Sequence, residues 1–397
     1  MTRLAYEYDA INLAQGMPDF EPPASVKDAA AGAIMKGFNQ YEITWGSARL
    51  REAIAEKALR FNRIRADPES DVTVTCGSTE AMTASIIATV DVGDEVIIPE
   101  PFYENYLPAT MIAGGRPVHV TLRETGPVFD EEELKAAFGS RTKVIIINTP
   151  NNPAGRVLTK DDLKLVADLC ADFDVLAITD EIYEHIVYDG RAHISMASLE
   201  GMGDRTVTIS GLSKTYSVTG WRVGYAIAAR EITNAIRKVH DYTTVCAPTP
   251  FQKAGIEALK LPQSYYSGLA KEYQGRRDLV VKSLQDLGFS AGNPEGAYYV
   301  LADFSSISAT DDTNFARVLT RDARVSAVPG SSFYAHRDMG SSKVRFSFAK
   351  KDQTLRDAMN RLRRFCNTKR TSSRSGVEKG AGLLARLPSG KHDGQKT

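Results

Sequence analysis

From Asp71 onward, short apolar runs alternate with stretches of helical spacing, and no other feature of the sequence limits the possible folds as strongly. Residues 71–76, 96–99, 144–148, 175–179 and 206–209 read as strands, rich in Val and Ile and too short for buried helices. Between them a helix opens at Gly77-Ser-Thr-Glu-Ala-Met, and residues 131–138 and 160–172 carry helical periodicity. Strands joined through helices imply an α/β fold: a large domain whose mostly parallel sheet is flanked by helices. In open sheets of this kind ligands sit at the carboxyl ends of the strands. That rule gathers Gly77, Ser78, Thr79, Tyr103, Asn152, Asp180, Tyr183 and Lys214 at one edge. Polar loop residues collect there in any such fold, so the chemistry has to be argued residue by residue.

At 397 residues the chain is too long for one ordinary core. After about Leu261 the alternation changes: residues 263–288 read as a long helix, 298–301, 325–328 and 343–348 as strands, and 312–321 and 353–365 as helices. Near the start, residues 11–13 read as an extended strand, and Ser25 is a candidate cap for a helix spaced on Val26, Ala29, Ala30, Ala33 and Ile34. The expected organisation is a large domain over 36–265 and a smaller α/β C-terminal domain made of 1–35 and 266–366. Residues 367–397, where Ser, Gly, Lys and Arg take over, read as a disordered basic tail.

Lys and Arg number 49, as do Asp and Glu, so no bulk attraction to nucleic acid or anionic membrane is expected. No apolar run is long enough to span a bilayer, and the first residues lack the basic-then-apolar shape of a signal peptide, so a cytoplasmic enzyme is expected. Cys76, Cys170, Cys246 and Cys366 form no C-x-x-C pair and the six histidines no H-E-x-x-H, so no metal is expected.

The strand at 206–209 leads into Ser210-Gly-Leu-Ser-Lys-Thr-Tyr-Ser-Val-Thr-Gly-Trp-Arg-Val-Gly, and a second strand-like run, 221–228, carries Arg222 at its start. A loop lysine is ordinarily a solvated charge. One held on a rigid small-residue turn beside a second cation can shed its proton and form a Schiff base with a carbonyl cofactor. Arg222 suits a phosphate, as do the backbone N–H groups and hydroxyls of Gly77, Ser78 and Thr79 at a helix start, with Ser213 completing the cradle. Neither a P-loop nor a G-x-G-x-x-G is present, which weakens nucleotide readings. Asp180 ends an apolar strand and must find a cation or a proton. A pyridinium nitrogen would serve, with Asn152 and Tyr183 donating to a ring phenolate oxygen and Tyr103 stacking on the ring. Arg345, in Lys343-Val-Arg-Phe-Ser-Phe-Ala, offers a fork for a carboxylate, or else an ordinary surface ion pair.

The lysine segment resembles the signature of class I aminotransferases, the pyridoxal phosphate enzymes of fold type I, and the resemblance runs from Ile11 to about Phe365. It implies that Lys214 bonds covalently to pyridoxal 5'-phosphate, that Asp180 pairs with its pyridine nitrogen, and that Asn152 and Tyr183 contact its phenolate oxygen. Gly77, Ser78, Thr79, Ser213 and Arg222 would hold the phosphate, Arg345 the substrate α-carboxylate, and Gly16 would line the substrate pocket beside Asn152. Tyr41 is similar to the tyrosine that reaches the partner subunit's phosphate, so a homodimer with shared active sites is implied. Asn39-Gln-Tyr, Gly-Met-Pro-Asp-Phe and Pro-Phe-Tyr are most similar to the branch holding kynurenine, glutamine, methionine and many aspartate aminotransferases.

Two departures stand out. The segment before Ile11 is shorter than usual, and Gly211 stands where many relatives have a phosphate-binding serine, leaving Ser210 or Ser213 to compensate. The implied reaction moves the amino group of an L-amino acid to a 2-oxo acid. Elimination at Cβ or Cγ, cyclisation and oxidation use the same scaffold and cofactor and stay open from sequence. A serine hydrolase lacks both S-x-x-K and G-x-S-x-G, and a regulatory module lacks a DNA-reading domain. Tyr41, Trp45, Tyr103 and Tyr298 point to tolerance of apolar or aromatic side chains, and no extra base for a second carboxylate can be placed.

Overall fold

A computed structural model describes residues 1–384. Its strands are β1 (Ile11–Asn12), β2 (Val72–Thr75), β3 (Glu95–Glu100), β4 (Arg116–Thr121), β5 (Thr142–Asn148), β6 (Leu176–Asp180) and β7 (Thr206–Gly211). They continue as β8 (Gly224–Ile227), β9 (Ser290–Ala291), β10 (Tyr299–Asp303), β11 (Val325–Ser326), β12 (Val328–Pro329) and β13 (Lys343–Ser347). The helices that place the site are α1 (Thr2–Glu7), α2 (Ala24–Met35), α3 (Ala48–Lys57), α4 (Ser78–Thr89) and α5 (Tyr106–Ile112).

The large sheet has the order β2-β8-β7-β6-β5-β3-β4. From β7 to β4 every neighbouring pair is parallel, whereas β8 runs antiparallel to β7 and β2. The Lys214 turn joins β7 to β8 without a crossover helix, and a connection of that kind returns the chain antiparallel. The central strands are apolar on both faces because both are covered. Ile145, Ile147 and Ala177 pack with Leu163 and Val166 on one side, and Val144, Ile146 and Ile178 with Ala81 and Ile86 of α4 on the other.

A smaller antiparallel sheet, β12-β13-β10-β9, lies in the C-terminal third, and β1 pairs in parallel with β11 beside it. Leu13 accepts a hydrogen bond from the Ser347 amide at 2.7 Å and packs with Phe346 and Phe348. Helix α2 does not follow Leu13. Val26 shares a core with Leu50, Ile54 and Ala258, which sets α2 against the large-sheet body, ahead of the expected boundary at residue 36. The long helix Gln263–Leu287 turns Leu269, Tyr273, Val280 and Leu284 to one core and stops at Gly288, whose φ of 101° suits a glycine C-cap.

Elsewhere the structure corrects the sequence reading. Pro23, not Ser25, precedes α2, whose first residue is Ala24. The strand expected from residue 221 starts only at Gly224, because Thr219–Trp221 winds into a 3-10 turn and Arg222 takes a left-handed conformation. The last helix spans Asp352–Leu384 and takes in the first part of the stretch expected as a disordered tail; no proline interrupts it. Residues 385–397 lie outside the described residues.

Candidate active site

A cavity of about 250 Å³ opens at the carboxyl ends of β5, β6 and β7 and is closed on its far side by Tyr299, Val328 and Arg345 of the smaller sheet. One wall is the start of α4. Gly77 precedes it with φ of 83°, and a Cβ there would lie 2.4 Å from Arg222 Nη2. A Cβ on Gly224 would lie 2.4 Å from the Ser78 amide nitrogen. Bare backbone at both positions therefore lets the Arg222 fork lie across the first turn of α4, joining a guanidinium to the free N–H groups of a helix start. Arg222 Nη1 is anchored on the Thr219 carbonyl at 3.1 Å. Ser78, Thr79, Ser213 and Arg222 line the cavity, while Gly77 stands behind them as the residue before the helix. Of the two serines that might replace the one missing at Gly211, Ser210 faces away and donates to Glu184 Oε1 at 2.7 Å; Ser213 is the one at the cavity.

Asp180, the last residue of β6, is only 6% exposed. Tyr106 Oη donates to its Oδ2 at 2.7 Å and the Ile182 amide to its Oδ1 at 3.2 Å. Burial raises its carboxyl above the ordinary range, and those donors with the more distant Lys214 charge only partly offset this. Lys214 is half-buried across the cavity, its Nζ 6.0 Å from the centre of the Tyr183 ring and 5.8 Å from that of Tyr298. Burial, and then the neighbouring Tyr299 and Tyr298, hold the Tyr183 phenol well above its usual value, so it is a neutral donor; its Oη lies 3.4 Å from Tyr299 Oη. Tyr103 lines the cavity too, edge-on to Tyr106 at 5.6 Å.

Arg345, on β13, is 5% exposed, which removes the surface ion-pair alternative. Its Nη1 donates to Asn152 Oδ1 at 2.8 Å and its Nη2 to the Ala14 carbonyl at 2.9 Å, while its buried Nε has no partner. Asn152 thereby keeps its amide N–H groups for a ligand. Gly16 admits no side chain, since a Cβ would lie 1.8 Å from Tyr299 Oη, and its carbonyl accepts from Tyr298 Oη at 2.8 Å. Tyr41 is not brought in: it is 82% exposed on the loop after α2 and lies outside the cavity of its own chain.

Sequence reasoning missed Gln15, Glu104, Tyr106, Asn148 and Tyr299, all of which line the cavity. Tyr106 was within reach, three residues after Tyr103 in the same Pro-Phe-Tyr segment, on the inner face of α5. Asn148 ties two loops together, accepting from the Asn152 amide at 2.7 Å and donating to the Asp180 carbonyl at 2.9 Å. Behind Asp180, Glu181, Glu184 and His193 bring three possible metal-ligand atoms within 4.8 Å of one another. Their oxygens are already engaged: Glu184 by Lys57 at 2.5 Å, Asn62 at 2.7 Å and Ser210, and Glu181 by Ser195 and His193, each at 2.8 Å. That cluster is a neutralised structural network.

A buried carboxylate that can accept from a protonated ring nitrogen, a lysine that can bond to an aldehyde and a cradle for an anion are together what a pyridine ring carrying an aldehyde and a phosphate needs. The residues thus fit pyridoxal phosphate. The family of aminotransferases class I and II matches residues 8–362. Methionine aminotransferase of Escherichia coli K12 is 38% identical over 363 residues, which cover 91% of this chain and 94% of that protein. Kynurenine–oxoglutarate transaminase 1 of Homo sapiens is also 38% identical, with 91% and 94% covered. The solved structure of N-succinyldiaminopimelate aminotransferase from Mycobacterium tuberculosis matches with a TM-score of 0.89 at 38% identity, covering 91% of this chain and 95% of that one. The chain belongs to the class I and II aminotransferases. It has the fold of the type I pyridoxal phosphate enzymes and is a transaminase of amino acids and 2-oxo acids.

Proposed function

We propose that Lys214 carries this transamination, with Asp180, Asn152, Tyr183 and Tyr103 around the cofactor ring, Gly77, Ser78, Thr79, Ser213 and Arg222 at its phosphate, and Arg345, Asn152 and Gly16 at the substrate. The supporting observation is the convergence on one cavity of Asp180 from the end of β6, Lys214 and Arg222 from the turn between β7 and β8, and Arg345 from β13 of the other sheet. When bound, pyridoxal phosphate supplies an aldehyde for the amino group and a ring that withdraws electrons from the substrate Cα–H bond. Asp180, too buried to stay charged without a partner, keeps the ring nitrogen protonated. Asn152 and Tyr183 donate to the ring oxygen, and Arg345 fixes the substrate carboxylate so that the Cα proton faces Lys214 Nζ. Lys214 takes up that proton as a general base.

The same reading includes a homodimer in which Tyr41 reaches the partner's phosphate, and a smaller domain formed by the N-terminal strand with the C-terminal unit. Among the described residues no helix is long and apolar enough to cross a membrane. Four free cysteines, two of them buried, suit a reducing compartment such as the cytoplasm.

General acid–base catalysis alone contributes about 10²- to 10⁴-fold, so Lys214→Ala should lose at least that factor in kcat. Borohydride reduction of the wild type should leave the pyridoxyl group on the peptide holding Lys214. A label on another lysine, or turnover that survives the substitution, would overturn the assignment.

A further inference from the structure

Each charged side chain that lines the cavity, with one exception, already has a use in the site proposed above: Arg222 for phosphate, Lys214 for the aldehyde, Asp180 for the ring nitrogen, Arg345 for the α-carboxylate. The exception is Glu104, in the loop between β3 and α5. It is half-buried, and among the described residues no ion pair engages it; its own backbone amide is the one hydrogen-bond donor that acts on its carboxylate. Glu104 and Arg345 line the same cavity, and Arg345 is the cation that acts on it. Burial raises its carboxyl, and Arg345 and its own backbone amide offset this only in part.

We propose that Glu104 is a specificity residue: it accepts a hydrogen bond from a neutral substrate side chain ending in an N–H donor, of the carboxamide class, and rejects one ending in a second carboxylate. This rests on the site assignment above, because the α-carboxylate must sit on Arg345 for the variable end to meet Glu104. A second carboxylate would find no cation here beyond those already engaged, and an acidic group in their place. Discrimination of this kind comes from the repulsive partner as much as from the attractive one. A carboxamide instead brings a further donor to a half-buried carboxylate whose one donor is its own backbone amide.

Three unreactive acids of one chain length separate these effects: pentanoate, glutarate and glutaramate, titrated calorimetrically into the cofactor-loaded enzyme. Pentanoate reports on Arg345 and serves as the reference. In the wild type, glutaramate should bind at least about tenfold more tightly than glutarate. Glu104→Gln should close most of that gap, and Glu104→Lys should invert it. Glutamine and glutamate as amino donors should follow the same order in kcat/KM. Equal affinities in the wild type would overturn the proposal. So would a uniform loss for all three acids in Glu104→Gln, which would mean that the carboxylate only steadies Arg345. An enzyme with no transamination of any donor would instead bring down the site assignment beneath it.

Discussion

Arg345 is held by packing as much as by hydrogen bonds. Its guanidinium lies 4.2 Å from the centre of the Tyr299 ring and 4.6 Å from that of Phe333, so two aromatic rings hold it in place. Two of its nitrogens are committed to Asn152 and Ala14, and the unpartnered Nε completes an edge for a planar anion. A lysine would keep the charge but lose the fork and the stacking, so the substitution is not conservative here. Charge-assisted hydrogen bonds contribute about 1.5 to 3 kcal/mol each, which predicts a fall in kcat/KM of about 10- to 100-fold for Arg345→Lys. Steady-state kinetics with several amino donors would check this, and the loss should be similar for all of them, since every donor presents the same α-carboxylate. Unchanged kinetics would remove Arg345 from the substrate.

At the scale of elements, the central strands were legible because runs such as Val144-Ile-Ile-Ile are apolar on both faces, which only a doubly covered strand requires. Helix 160–172 was legible from its periodicity, and Thr159 and Asp162 fix its start through a reciprocal capping box. Less legible was anything decided by a distant segment. Lys57, at the end of α3 in Arg-Glu-Ala-Ile-Ala-Glu-Lys, has the spacing of a surface helix, yet its ammonium is buried against Glu184 in the turn that follows β6. Burial pushes the Glu184 carboxyl up, but the Lys57 charge and two nearby imidazoles outweigh it and bring the group down from 4.5 to about 2. A depressed acid adds stability above its unfolded value, so this contribution should be complete above pH 4.5 and vanish as the pH falls toward about 2. Lys57→Met leaves the carboxylate uncompensated and should cost about 3 to 5 kcal/mol near neutrality. Urea unfolding across pH 3 to 7 would test both claims. The variant should also lose the acid-side slope between pH 4.5 and about 2, because Glu184 would no longer titrate below its unfolded value. An unaltered slope would mean that the pair does not set it.

For the whole molecule, the cavity of one chain leaves Tyr41 outside it. Its loop is not loose: the Gln40 carbonyl accepts from Thr249 Oγ1 at 2.7 Å, and Glu42 pairs with Lys253 at 2.6 Å, both on helix Thr249–Leu259. Phe38, Tyr41 and Ile43 are nonetheless exposed, an apolar arrangement that a monomer gains nothing by keeping. A firmly held loop presenting a tyrosine outward is what a site completed by a second copy needs, and motif resemblance alone pointed to it, since no spacing rule reaches across subunits. Sharing of sites has a test that local roles cannot imitate. Lys214→Ala subunits should be inactive, and Tyr41→Ala subunits should grip phosphate weakly and lose activity at limiting cofactor. If Tyr41 acts in the partner's site, a hybrid dimer of the two carries both defects in one site and neither in the other. Equal coexpression makes half the dimers hybrid, so about a quarter of all sites should be intact and activity at limiting cofactor should recover to about that fraction. If Tyr41 acts within its own chain or not at the phosphate at all, every hybrid site keeps its own chain's defect. The mixture would then be no more active than the Tyr41→Ala subunits it contains, and the shared site would be lost as an explanation for the exposed loop.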